Sequence, residues 1–317
     1  MSTLRAATLL RVATVAAVGA LALSPVVGAH ATTQVSSDKQ PTAKLAFYAN
    51  GTQTRLLSVT LKGNRAKART LVTAASPVWW RTFYLTPTSA AGRWVVGSLS
   101  GDQTDTDDPP RMFAYNRVTR SLRWLAPRSR TYRSPVVDAE KVPEVFFVSG
   151  ATVRKVSTRG THNSKVFSAP KGWNITALTV AGTAAPYVAL THNTGLTPAT
   201  ATTYVVQLAP TAAVTVIPRT PGSVTALALS PNTKTLAVSR TKQDGDSVLS
   251  LQAEAHGGVS TALPAVGTTD QMSWDSTGDT LAVDPQQWGG WTLVTVSTGA
   301  TSYPKAVQPY GGGIFAP

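Results

Sequence analysis

LALSPNTKTLAV, running from Leu227 to Val238, and MSWDSTGDTLAV, running from Met272 to Val283, align without a gap at a spacing of 45 residues. Each reads as an apolar strand, a polar turn and a second apolar strand. Pro231-Asn232 and Thr277-Gly278 occupy the turn, where a fixed or permissive backbone torsion is needed. A repeat of about 40–50 residues built of short strands decides a fold before any single element is assigned, because each unit must bury its faces against its neighbours.

Looser copies lie upstream, at Leu178 (LTVAGTAAPYVAL), Ser134 (SPVVDAEKVPEVFFVS) and Phe83 (FYLTPTSAAGRWVVGS), with a partial copy, KLAFYANG, from Lys44. Taking Ala46, Val95, Phe146, Val188, Leu236 and Leu281 as equivalent points, the intervals are 49, 51, 42, 48 and 45 residues. A second hairpin follows in each copy, its turn marked by Arg117-Val118-Thr119-Arg120, Val156-Ser157-Thr158-Arg159-Gly160 and Val296-Ser297-Thr298-Gly299. The flanking segments alternate apolar and polar residues of β-prone type, and past the N-terminus no sustained 3.6-residue apolar period appears. The expected fold class is all-β: a six-bladed β-propeller of four-stranded antiparallel blades.

The first copy lacks an innermost strand, while GGGIFAP (Gly311 to Pro317) is left over at the other end. Gly313 to Phe315 would supply the missing strand and close the ring, removing an open seam. The expected organisation is residues 1–31 as a signal peptide, 32–43 as a flexible segment and 44–317 as the propeller. Its blades are expected at 44–75 with 311–317, 76–127, 133–170, 172–220, 222–266 and 269–305.

SPNTKTLAVSRTKQDGDSVLSL (Ser230 to Leu251) and WDSTGDTLAVDP (Trp274 to Pro285) resemble the repeat of TolB-like, WD-repeat-related propellers. In that family a Ser-Pro-Asp-Gly-Lys-like turn precedes an apolar strand and an Asp-Gly turn opens the third strand. Pro231, Lys234, Asp244 and Gly245 stand at matching positions, with Asn232-Thr233 in place of Asp-Gly. The resemblance implies a six-bladed disc with a binding role, without the α/β domain that precedes the propeller in TolB itself. Ser273 to Thr280 is also similar to the Asp-box of sialidase propellers with one extra residue, a structural turn in that family.

The N-terminus carries Arg5 and Arg11, then an apolar run from Val12 to Val27 broken by Pro25, then Ala29 and Ala31. A basic head, a short apolar run and an A-x-A site describe a cleavable secretory signal, with cleavage expected after Ala31. The run is shorter than the roughly 20 residues of a membrane span. Secretion to an extracytoplasmic location is therefore expected. The sequence has no cysteine, which removes disulfides, thiolate catalysis and zinc–thiolate sites.

Charge is unevenly spread. Thr32 to Lys171 holds 22 basic and 8 acidic residues, whereas Gly172 to Pro317 holds 5 and 7. A positive sector of that size attracts polyanions and is screened by salt. Its densest part is Arg117, Arg120, Arg123, Arg128, Arg130 and Arg133, interleaved with Trp124 and Tyr132. Arginine presents a planar fork suited to carboxylate or phosphate, so these six are the candidate residues for an anionic partner. Alternation sets Arg123 and Trp124 on opposite faces of a strand.

Catalytic chemistry has little to work with. His162, His192 and His256 fall in three different repeats, and no nucleophile elbow, phosphate loop or zinc-protease helix occurs. Asp102, Asp105, Asp107 and Asp108 offer hard oxygens, but without the glycine bend and terminal glutamate of a calcium loop they read as a solvated acidic loop. Asp244-Gly245-Asp246 reads as a hairpin turn. The expected function is a non-catalytic scaffold, without metal or cofactor and monomeric, that binds an envelope or extracellular protein or an anionic cell-wall polymer, nucleic acid being disfavoured by compartment. The alternative is a carbohydrate-active lyase or hydrolase with its site at the central channel.

Overall fold

Apolar runs such as that within Glu144–Ser149 (EVFFVS) set the architecture, because the side chains of Val145, Phe146, Phe147 and Val148, odd and even alike, are all buried. In the computed structural model, Val145 and Phe147 enter one hydrophobic cluster while Phe146 and Val148 enter the next. The same division recurs at Val95 and Val96, and at Val188 and Leu190 against Tyr187 and Ala189. Successive side chains of a strand point to opposite faces, so a sheet packed on both faces carries a continuous apolar run. Each strand thereby serves two neighbouring sheets.

The structure describes residues 43–49, 55–62, 65–73, 83–85, 93–99, 109–127, 129–140, 142–193, 200–209, 211–253, 260–263, 269–285, 292–302 and 313–315. All belong to one unit, Val35–Pro317. The expected signal peptide, residues 1–31, lies outside the described residues, as do Arg128, His256 and the Asp102–Asp108 loop.

Among the described residues, twenty-four strands pair into six antiparallel sheets of four. The first sheet takes β1 (Ala43–Ala49), β2 (Arg55–Lys62) and β3 (Arg65–Thr73), with the last strand of the chain, β24 (Gly313–Phe315), against β1 through Ala46 opposite Ile314. The second holds β4 (Phe83–Leu85), β5 (Trp94–Leu99), β6 (Arg111–Asn116) and β7 (Ser121–Trp124). The third holds β8 (Tyr132–Val137), β9 (Glu144–Ser149), β10 (Thr152–Ser157) and β11 (Ser164–Ser168). The fourth holds β12 (Asn174–Thr179), β13 (Tyr187–Asn193), β14 (Ala201–Leu208) and β15 (Ala213–Pro221). The fifth holds β16 (Ser223–Leu229), β17 (Thr235–Thr241), β18 (Ser247–Ala253) and β19 (Ser260–Ala262). The sixth holds β20 (Thr269–Trp274), β21 (Thr280–Pro285), β22 (Thr292–Thr295) and β23 (Ala300–Ser302).

All six repeat anchors named above fall in the second strand of their sheet. Burial then falls outward across a sheet. In the fifth, β16 and β17 are largely buried and β19 is exposed throughout. The innermost strands β8, β12, β16, β20 and β24 succeed one another through inter-sheet contacts. The chain is thus a β-propeller of four-stranded antiparallel blades.

The turns use side chains as backbone caps, which is why their residue types recur. Asp275 Oδ1 accepts from the backbone N–H of Gly278, Asp279 and Thr280, closing the β20–β21 turn. Asp244 Oδ1 accepts from Asp246 N–H, and Gly245 takes a φ of +91°. These aspartates hold turns, as Asx geometry allows.

Candidate functional site

Two equivalent hairpin turns, β6–β7 and β10–β11, frame a cleft between the second and third sheets. Asn116 Oδ1 accepts from the N–H groups of Val118 and Thr119 at 2.9 and 3.1 Å, and Arg120 adopts a φ of +55°. Ser157 Oγ accepts from Arg159 and Thr161 N–H at 3.3 and 3.2 Å, with Gly160 at a φ of +83°. A methyl group on Gly160 would stand 3.1 Å from the carbonyl of Trp124, so this glycine lets the third sheet's turn approach β7.

The cleft has a volume of about 800 Å3. Arg93 and Arg123 enter from the second sheet and Arg159 and His162 from the third, which also contributes Asp138 and Glu140 to the lining. The three arginines are exposed, and among the described residues none pairs with a carboxylate. Arg93 is fixed to the adjacent turn, its carbonyl accepting from Arg117 N–H at 2.8 Å. Val142, exposed at 69%, adds an apolar patch to the rim.

Asp138 lines the cleft with 5% exposure. Burial pushes its carboxyl up to about 6, opposed by Oδ1 accepting from the N–H groups of Glu140 and Glu144, and reinforced by the nearby charges of those two glutamates. Glu144 is itself paired with Lys155 at 2.7 Å. Burial likewise holds the Arg117 guanidinium below its usual range.

The sequence cluster of arginines is divided by this architecture. Arg117 and Arg120 sit in the β6–β7 turn and Arg123 lines the cleft. Arg130 precedes β8 beside Ser129, whose N–H bonds to Pro110, and Arg133 lies near the start of the same strand. Asp138, just past the end of β8, lines the cleft, so Arg133 stands roughly 16 Å away along the strand. There it donates to the Ile175 carbonyl at 2.7 Å. Nor do the neighbouring aromatics make a free platform. Trp124 carries the Arg111 guanidinium at 4.8 Å, and Tyr132 packs edge-on against Phe147 at 5.1 Å. Arg123 and Trp124 are both exposed, because β7 is the outer strand and solvent reaches both of its faces.

Sequence reasoning missed Arg93 and Arg159. Arg159 stood in a recognised turn, one of three that share a hairpin position, so its nearness to Arg123 follows once adjacent repeats are superimposed. Nothing local marks Arg93. His162 and His192 are held by different sheets, and among the described residues no group of three His, Asp or Glu side chains could hold a metal ion.

No family model and no curated protein matches this chain. Solved structures do match its fold. The nidogen/laminin complex is similar at 11% identity over 87% of this chain and 98% of that one, with a TM-score of 0.59. TolB from Acinetobacter baumannii is similar at 10% identity over 87% of this chain and 67% of that one, with a TM-score of 0.58. At such identities the likeness is one of fold, a β-propeller.

Proposed function

We propose that this chain is an exported six-bladed β-propeller acting as a non-catalytic binding scaffold, and that the cleft between its second and third sheets receives an acidic partner, an anionic envelope polymer in the first instance. The count of six is supported by the six four-stranded sheets and by contacts that run from each sheet to the next and, through β20 and β24, back to the first. A propeller whose ends are joined in this way has no open seam between its first and last blades, and only the short outer strands of the blades remain as edges.

The observation that carries the functional reading is the convergence of Arg93, Arg123 and Arg159, from two sheets, on one cleft. Three exposed guanidinium groups, none of them ion-paired with a carboxylate among the described residues, outnumber the Asp138 and Glu140 carboxyls of the same lining and favour a polyanion, and a rigid sheet framework lowers the ordering cost of binding it. The basic excess of residues 32–171 supplies long-range attraction on the same side of the sequence.

Chromatography of the full chain on immobilised heparin tests this reading. Salt-sensitive retention is expected, most of it lost in the triple variant R93Q/R123Q/R159Q and little changed in R130Q. A triple variant retained like the parent, or a parent that is not retained at low salt, would remove the proposal.

A further inference from the structure

Between Gly172 and Thr233 the sequence has a single Asp, Glu, Lys or Arg, and it is Arg219. In the fourth sheet that side chain lies over two aromatic rings, its guanidinium carbon 5.2 Å from the Trp173 centroid and 5.9 Å from that of Tyr204. The rings meet edge to face at 4.6 Å, and the His192 ring lies 5.3 Å from that of Trp173. Gly172, at a φ of +83°, comes so close to His192 that a methyl group there would lie 3.3 Å from the imidazole. Trp173 just before β12, His192 on β13, Tyr204 on β14 and Arg219 on β15 thus bring one residue from each strand level into a single cluster.

The cluster stands apart from the cleft. Arg133, near the start of β8, bonds to Ile175, near the start of β12, whereas Ala139, past the end of β8, bonds to Gly182, past the end of β12. Trp173 therefore belongs to the opposite ends of the strands from the cleft that Asp138 lines.

Arg219 is exposed in a stretch without other formal charge, and among the described residues no carboxylate pairs with it. Cation–π contact with Trp173 and Tyr204 restrains the guanidinium, which reduces the rotamer freedom lost when its fork forms two parallel hydrogen bonds to an anion. The half-buried aromatic edges and imidazole beside it offer apolar contact and hydrogen bonding to the body that carries the anion. A bare inorganic anion would use only the fork. A sugar ring bearing a carboxylate would use all four side chains.

We propose that Trp173, His192, Tyr204 and Arg219 form a binding site for an acidic saccharide unit, a uronate of a polysaccharide chain, with Arg219 taking the carboxylate. This site goes beyond the cleft reading and stands without it.

Calorimetric titration of the full chain with a tetramer of glucuronate-containing saccharide, against its carboxyl-reduced neutral counterpart, tests the proposal. The uronate is expected to bind at least tenfold more tightly than the neutral form. R219Q should lose at least tenfold, and R219K should lose affinity as well because it keeps the charge but not the fork. W173F, which preserves an aromatic ring, should weaken binding less than R219Q. In the R93Q/R123Q/R159Q background, which removes the cleft's own attraction for anions, the preference for the uronate over the neutral form should persist and should be lost on adding R219Q, which separates this site from the cleft. The proposal is overturned if the parent gives no binding, if R219Q with an unchanged melting temperature binds as the parent does, if the cleft variant shows no preference for the uronate over the neutral form, or if inorganic phosphate competes as well as the tetramer.

Discussion

The indole Nε1 of Trp274 donates to the carbonyl oxygen of Ala228 at 2.9 Å, across 46 residues of sequence and from the sixth sheet to the fifth. Equivalent links join other neighbours. Thr225 Oγ1 donates to the Thr269 carbonyl, Leu229 N–H to Thr179 Oγ1, and Arg133 to the Ile175 carbonyl, at separations of 44, 50 and 42 residues. The period of the sequence repeat is thus the period of the hydrogen bonds that tie one sheet to the next. Trp274→Phe keeps the aromatic volume but leaves the Ala228 carbonyl without its donor in a buried setting. A loss of about 1–3 kcal/mol is expected, seen as a melting temperature several degrees lower by circular dichroism.

Ring closure makes a separate demand on the C-terminus. β24 pairs with β1 through Leu45–Phe315, Ala46–Ile314 and Phe47–Gly313. Removing residues 311–317 exposes an edge of β1, and the thermal transition should fall sharply. An unchanged transition would contradict closure by this strand.

Glycines separate steric need from backbone need. A methyl group on Gly222, at a φ of +98°, would lie 2.3 Å from the Thr241 carbonyl oxygen, an impossible approach to backbone. One on Gly245, at a φ of +91°, meets nothing within 4 Å. Urea titration should find Gly222→Ala destabilised by several kcal/mol or unable to fold, and Gly245→Ala by about 1 kcal/mol.

How much of this was legible in the sequence follows from range. The repeat exposed the sheets because both-face burial writes continuous apolar runs such as Val145 to Val148, and because Asp275 and Asn116 mark turns through local Asx bonds. The candidate site was half legible. Arg123 was marked by local charge density, whereas Arg130 and Arg133, its neighbours along the chain, lie before and near the start of β8, at the other end of that strand from the cleft. Arg93 and Arg159 reach the cleft only through inter-sheet packing, for which a linear window has no signal. The Trp173–Arg219 cluster spans four strands and was invisible for the same reason.

Asp138 gives the molecule a pH signature. Its carboxyl titrates near 6 in the folded protein against an ordinary value of 3.8, so the folded state holds the proton more tightly than the unfolded one. For this group stability is greatest below pH 4, declines as pH rises through 4 to 6, and stays lower above. A raised acid pKa of this size corresponds to about 3 kcal/mol at most. Asp138→Asn retains an oxygen for the Glu140 and Glu144 N–H groups, and denaturant unfolding from pH 4 to 7 should show this decline flattened in the variant.

The most direct test of the central claim is hydrogen exchange of the full chain with and without a heparin oligosaccharide. Slowed exchange is expected at residues 116–123 and 157–162, the two turns that frame the cleft, and should vanish in R93Q/R123Q/R159Q. Protection confined to other segments, or identical in parent and variant, would contradict the assignment of the cleft as the site where the scaffold takes its acidic partner.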